Sequence, residues 1–173
     1  MDPLSEVLSL LNTQSSVFAG LRAGGDWAID FPPPDGIKFN AIVEGACWLT
    51  VEGVEQPVRL ERGDCFLLSR RRAFSLRNDL SIPAIQSDEI YRHAIDGIAR
   101  CGTDDSFFLI GGRFAFGEEA SLLFDGLPPV ATIKSGSDQA SVLKSLSECL
   151  CVRHKLMAKE PLYATQTQGR SDD

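Results

Sequence analysis

From position 37 to 44 the chain alternates without a break. Ile37, Phe39, Ala41 and Val43 form one series, and Lys38, Asn40, Ile42 and Glu44 the other. Period-two alternation over eight residues predicts a β-strand. One face is apolar and the other mixed, which suits a strand lying between a core and a pocket. Short strands are also predicted at 47–51, 57–60 and 65–68, punctuated by Gly45, Gly53 and Gly63. Strands at this spacing, separated by turn residues, point to an antiparallel barrel or sandwich.

The pattern extends in both directions. Strands are predicted at 16–21 and 27–31, and the run Pro32-Pro33-Pro34-Asp35-Gly36 must be a loop, because proline supplies no donor and fixes φ. Residues 107–116, FFLIGGRFAF, form a strongly apolar strand with Gly111-Gly112 inside it, the signature of a bulge or of a close backbone approach. Residues 78–106 hold Pro83, Gly97 and Gly102 and read as a long excursion from the barrel, with a short helix at 88–98. Helical spacing marks three other places. Asp2 and Pro3 cap a short N-terminal helix with Leu4, Val7, Leu8 and Leu11 on one face. A second short helix is expected at 119–125. A longer C-terminal helix begins after Ser137, with Val142, Leu143, Leu146, Leu150 and Met157 in one stripe. The domain reading is therefore a barrel over 1–135, a helix over 136–160 that offers a dimerisation face, and a polar tail over 161–173 expected to be disordered.

Composition narrows the function. A net charge of −7 makes the chain a poor electrostatic partner for nucleic-acid phosphates, and Arg70-Arg71-Arg72 reads as a solvated turn. No apolar run approaches the ~20 residues of a membrane span, and the N-terminus lacks the pattern of a secretory signal. The five cysteines form no CxxC, and Cys47 and Cys65 fall in apolar strand patterns as small core residues. A reducing cytoplasmic environment is the expectation.

Several blocks occur together and in order: GGDWAIDFP at 24–32, GIKFNAIVEGACWLTVEG at 36–53, PVRLERGDCFLL at 57–68, FLIGGRFAF at 108–116 and LPPV at 127–130. In these the chain resembles the N-terminal cupin-type ligand-binding domain of AraC/XylS-type transcriptional regulators. The resemblance implies a mainly β fold, a cupin-like jelly-roll barrel with a short N-terminal helix and C-terminal helices. It also implies binding of a small-molecule effector, a homodimer, and a DNA-binding pair of helix-turn-helix units further along the family's chains. This chain stops at Asp173 without that region, so direct DNA binding by it alone is not expected.

Enzymatic cupins hold a divalent metal with His-x-His, a Glu and a later His, ligands suited to first-row metals. Under the resemblance those positions fall at Pro32, Pro34, Lys38 and Phe74, none of which is a metal ligand. His93 and His154 lie outside the barrel strands. No metal, no cofactor and no catalytic residue is expected; there is no GxSxG and no phosphate-loop frame. The candidate ligand-binding residues are Lys38, Asn40, Trp48, Arg113 and Trp27. Lys38 would hold a ligand carboxylate or phosphate, or else pack its stem and reach for water. Asn40 shares its face and needs a partner, ligand or backbone. Trp27 and Trp48 could stack on a flat ligand or fill the core. Arg113 needs a carboxylate, from a ligand or from within the protein, where Glu44 is the internal candidate. The expected function is small-molecule sensing. The rivals are a metal-free cupin enzyme such as an isomerase, and a stand-alone dimerisation partner of full-length regulators.

Overall fold

The computed structural model describes residues 16–114 and 128–136. The expected N-terminal helix, the helix at 119–125, the C-terminal helix and the tail lie outside the described residues. Eleven strands are described: β1 (Ser16–Gly24), β2 (Ala28–Phe31), β3 (Ile37–Glu44), β4 (Ala46–Val51), β5 (Val58–Glu61), β6 (Cys65–Leu68), β7 (Phe74–Arg77), β8 (Ile85–Gln86), β9 (Ile98–Gly102), β10 (Phe107–Phe114) and β11 (Val130–Ile133). A short helix, α1 (Ser87–Tyr91), lies between β8 and β9. They form a six-stranded sheet, in the order β11-β6-β3-β10-β1-β9, and a five-stranded sheet, β5-β4-β7-β2-β8. The chain crosses from one sheet to the other at almost every turn from β1 to β7, which is jelly-roll connectivity. Among the described residues, no helix is long and apolar enough to cross a membrane.

The crossings are where the turn residues sit. Gly45 joins β3 to β4 with φ +80°, in the left-handed region that glycine enters without strain. A Cβ there would also stand 2.7 Å from the Ser106 carbonyl oxygen. Asp64 fixes the β5–β6 corner: its carboxylate accepts from the backbone N–H groups of Glu61 (2.9 Å) and Ser135 (2.8 Å) and from Lys134 (3.1 Å). Burial opposes that charge, but the two backbone donors and Lys134 outweigh it and hold the carboxyl below the usual range.

Between the sheets lies the main core, in which Leu21, Ile29, Leu49, Leu60, Phe66, Leu68 and Leu76 are fully buried. Burial of each such side chain stabilises the fold by about 1.5–3 kcal/mol. A second cluster of Phe39, Ala41 and Cys65, with Leu67, Ile110 and Ile133 packed on it, belongs to the other face of the six-stranded sheet. The apolar series of β3 therefore faces away from the main core. Its mixed series looks into the barrel, because Ile42 is a main-core residue and Asn40 and Lys38 follow it at intervals of two.

The reading of 78–106 as an excursion needs correction. β8 pairs in parallel with β2, and β9 in parallel with β1, so the segment extends an edge of each sheet. The helix expected at 88–98 ends at Tyr91, and Asp96-Gly97 turns the chain into β9, with Asp96 at φ 52°. The alternation that would have announced β9 is short and half-exposed, and its partner strand is remote in sequence.

Candidate functional site

Two regions carry clustered polar side chains. The first is in the barrel interior, at one end of β3 and β10. Those strands are antiparallel, with Lys38 opposite Arg113 and Asn40 opposite Gly111. On its other side Lys38 faces Leu68 and Asn40 faces Phe66 across the β3–β6 ladder, both main-core residues. Directly opposed residues in an antiparallel pair point to the same face. Lys38, Asn40 and Arg113 therefore share the interior face.

Gly111 explains part of this geometry. A Cβ at that position would collide with Asn40 Oδ1 and lie 2.8 Å from the Phe39 carbonyl oxygen. The double glycine thus permits a close approach, letting the Asn40 amide lie over the neighbouring strand; the register irregularity of this ladder lies further back, between Phe108 and Leu109. Asn40 is 1% exposed, and its Nδ2 has no hydrogen-bond partner. Lys38 is half-buried, and burial, with the Arg113 charge opposite as a lesser cause, pulls its ammonium down from 10.5 to about 8. The expected internal partner of Arg113 is not there. Glu44 sits exposed at the far end of β3, opposite Phe108. Among the described residues, no carboxylate forms an ion pair with Lys38 or Arg113.

The second region is on the outer face of the five-stranded sheet. In β4, Cys47, Leu49 and Val51 point inward, so Trp48 and Thr50 point out. A groove of about 430 Å³ is lined there by Asp30, Thr50, Ser75, Arg77 and Gln86 among others. Most of its polar groups are mutually engaged, although Arg77 Nε is buried without a partner. Thr50 and Ser75 hydroxyls are hydrogen-bonded to each other, Arg77 donates to Ser75 Oγ (3.1 Å) and to the Ile82 carbonyl (3.2 Å), and it pairs with Asp30 at 3.5 Å.

The five sequence candidates thus do not form one site. Lys38, Asn40 and Arg113 come together. Trp48 is on the outer face, half-buried, with the Arg59 guanidinium 5.3 Å from its ring centroid. Trp27 is 3% exposed and packs on Phe107 with ring centroids 4.7 Å apart. Phe107 precedes Arg113 by six residues on β10, a separation of about 20 Å along a strand, so Trp27 fills the opposite end of the barrel. Sequence reading did not single out Gly111 as the space that admits Asn40, nor Phe66 and Leu68 as the apolar floor. β6 is a continuous apolar run, CFLL, which by itself does not say which of its residues face the interior. Of the residues that the family resemblance sets at metal positions, Phe74 stacks on Phe31 at 4.6 Å and Pro32 is exposed. No group of three or more His, Cys, Asp or Glu side chains is placed to hold a metal among the described residues.

A family model described as Cupin matches residues 2–154. Two curated relatives, from Streptomyces lividans and Streptomyces antibioticus, carry the name AraC-like transcription regulator; they are 45% and 46% identical over 145 residues, 83% of this chain. The chain spans about half the length of these relatives, 48% of each. Among solved structures, ToxT from Vibrio cholerae O395 covers 85% of this chain and 50% of its own, at 10% identity and a TM-score of 0.49.

Proposed function

The chain belongs to the cupin family, and from that premise we propose that it is the effector-binding domain of an AraC-type transcriptional regulator, acting in the cytoplasm. The observation that carries the reading is the set of donors inside the barrel, of which Asn40 is buried and Lys38 and Arg113 half-buried. Asn40 presents an unpaired amide nitrogen, Nδ2, on the same interior face as Lys38 and Arg113. A buried polar group left without a partner costs about 1–3 kcal/mol, a cost that a bound small molecule offsets. The relatives' shared name supplies the regulatory context, and their greater length leaves room for DNA binding outside this chain. In this reading the effector binds one arrangement of the barrel better than another and shifts the population toward it. The segment 136–160 serves as the contact through which a homodimer responds.

A metal-free cupin enzyme remains the second reading because of one observation. Lys38 titrates near pH 8, in the range useful for proton transfer. A single experiment separates the two. The chain is incubated with a panel of small metabolites, and thermal shift and mass spectrometry are followed together. Saturable stabilisation by a compound recovered unchanged supports the sensor. Conversion of a bound compound, abolished in Lys38→Met, would replace the sensor with the enzyme. Sedimentation tests the homodimer; a monomer at micromolar concentration would remove that element.

A further inference from the structure

Lys38 and Arg113 are an uncommon pair to find face to face. Like charges directly opposite in a ladder are destabilising. Here they stand on an interior face bordered by Phe66 and Leu68, where little water is at hand to screen them. Other strand arginines have a compensating neighbour: Arg77 has Asp30 and Arg100 has Asp105, while Arg22 and Arg59 lie over the rings of Phe108 and Trp48. Asn40, one pairing step deeper than Lys38, adds a third donor with no acceptor. We infer that the effector carries an anionic group, a carboxylate or a phosphate, held between Lys38 and Arg113 with Asn40 donating to it.

This rests on the reading of the barrel interior as the effector site and gives that site its ligand class. The donor types fit their roles. The guanidinium of Arg113 is a planar fork matched to the paired oxygens of either group, and the Lys38 ammonium is a mobile point charge beside it. The lowered affinity of Lys38 for its proton is a further mark of an environment lacking an anion. The apolar floor makes the paired charges stronger once water is displaced.

The test uses the whole chain and simple probes. Thermal midpoints are measured against propionate, inorganic phosphate and the neutral analogue propionamide at fixed ionic strength. One or both anions should raise the midpoint with saturation, and propionamide should not; which anion acts more strongly separates carboxylate from phosphate. Lys38→Met and Arg113→Met should each weaken the response about tenfold or more, whereas Ser75→Ala on the outer face should leave it intact. Equal responses in wild type and Lys38→Met would overturn the inference. Should either Met variant not fold, the Lys38 titration in wild type, followed by NMR at its ε-methylene, decides instead. A saturating anion should raise that titration, and an unmoved titration overturns the inference. A metabolite panel separates this failure from that of the underlying reading. Neutral compounds that stabilise wild type and Lys38→Met alike would sink the anionic class and leave the barrel as an effector site. No stabilisation by any compound, charged or neutral, would sink both.

Discussion

The interior face of the six-stranded sheet and the outer face of the five-stranded sheet both set polar side chains on strands, and they treat them in opposite ways. On the outer face Thr50, Ser75, Arg77 and Asp30 are bonded to one another, an acid stands beside the cation, and only Arg77 Nε is left without a partner. On the interior face Lys38, Arg113 and the Nδ2 of Asn40 are donors, with no acid against either cation among the described residues and no partner for Nδ2. The first arrangement is what a stable sheet does with polar residues. The second costs stability, and it is the imbalance on which the proposed anion site rests.

Three substitutions would break or sharpen that contrast. The largest effect is expected for Gly111→Ala. Its Cβ would strike the Asn40 amide and the Phe39 carbonyl, lowering stability by about 1–3 kcal/mol and displacing the amide from the site. Chemical denaturation reads the loss; unchanged stability would mean that Asn40 does not lie over that strand.

The second, Lys38→Met, should move stability the other way. Removing a half-buried cation opposite Arg113 should raise stability at pH 7 by on the order of 1 kcal/mol, discounted for partial exposure, or about 2–4 °C in Tm. The gain should depend on pH. Folded Lys38 releases its proton near pH 8 and the unfolded chain near 10.5, so between these values the unfolded state holds more protons. Wild-type stability relative to the variant therefore rises from pH 8 to 10.5, and the advantage of Lys38→Met shrinks there. Below pH 8 both states are protonated and the full cost is present. The difference between the two proteins cancels the raised thiol and phenol groups of Cys47, Cys65 and Tyr91, which burial pushes to about 12, 11 and 12. A constant difference from pH 7 to 10 would show that Lys38 is not desolvated.

The smallest effect belongs to the outer face. Ser75→Ala removes the partner of Thr50 and of one Arg77 nitrogen and should cost about 1 kcal/mol, with the response to propionate and phosphate unaltered. A lost anion response in this variant would erase the distinction between the two faces.

Much of the barrel is written locally. The period-two series at 37–44 and the turn residues Gly45 and Gly63 predict strands that the structure contains, with β2, β3, β4 and β6 within a residue or two of their expected limits. β7, β8, β9 and β11 are short, and only pairing with distant strands reveals them. The site was legible to the same degree. Lys38 and Asn40 announce a polar face by alternation alone, and Arg113 announces itself as a charge in an apolar run.

Sequence by itself determined that β3 has two unlike faces and that Gly111-Gly112 interrupts an apolar strand. Only the tertiary structure decided that the mixed face of β3 looks inward. It also decided that Arg113 meets Lys38 rather than Glu44, that Gly111 makes room for Asn40, and that Trp27 and Trp48 stay out of the group. The physical reason is that side-chain alternation is a property of one strand, set by its own backbone geometry. Register is a property of two strands, set by hydrogen bonds between segments remote in sequence and by which face the rest of the core covers.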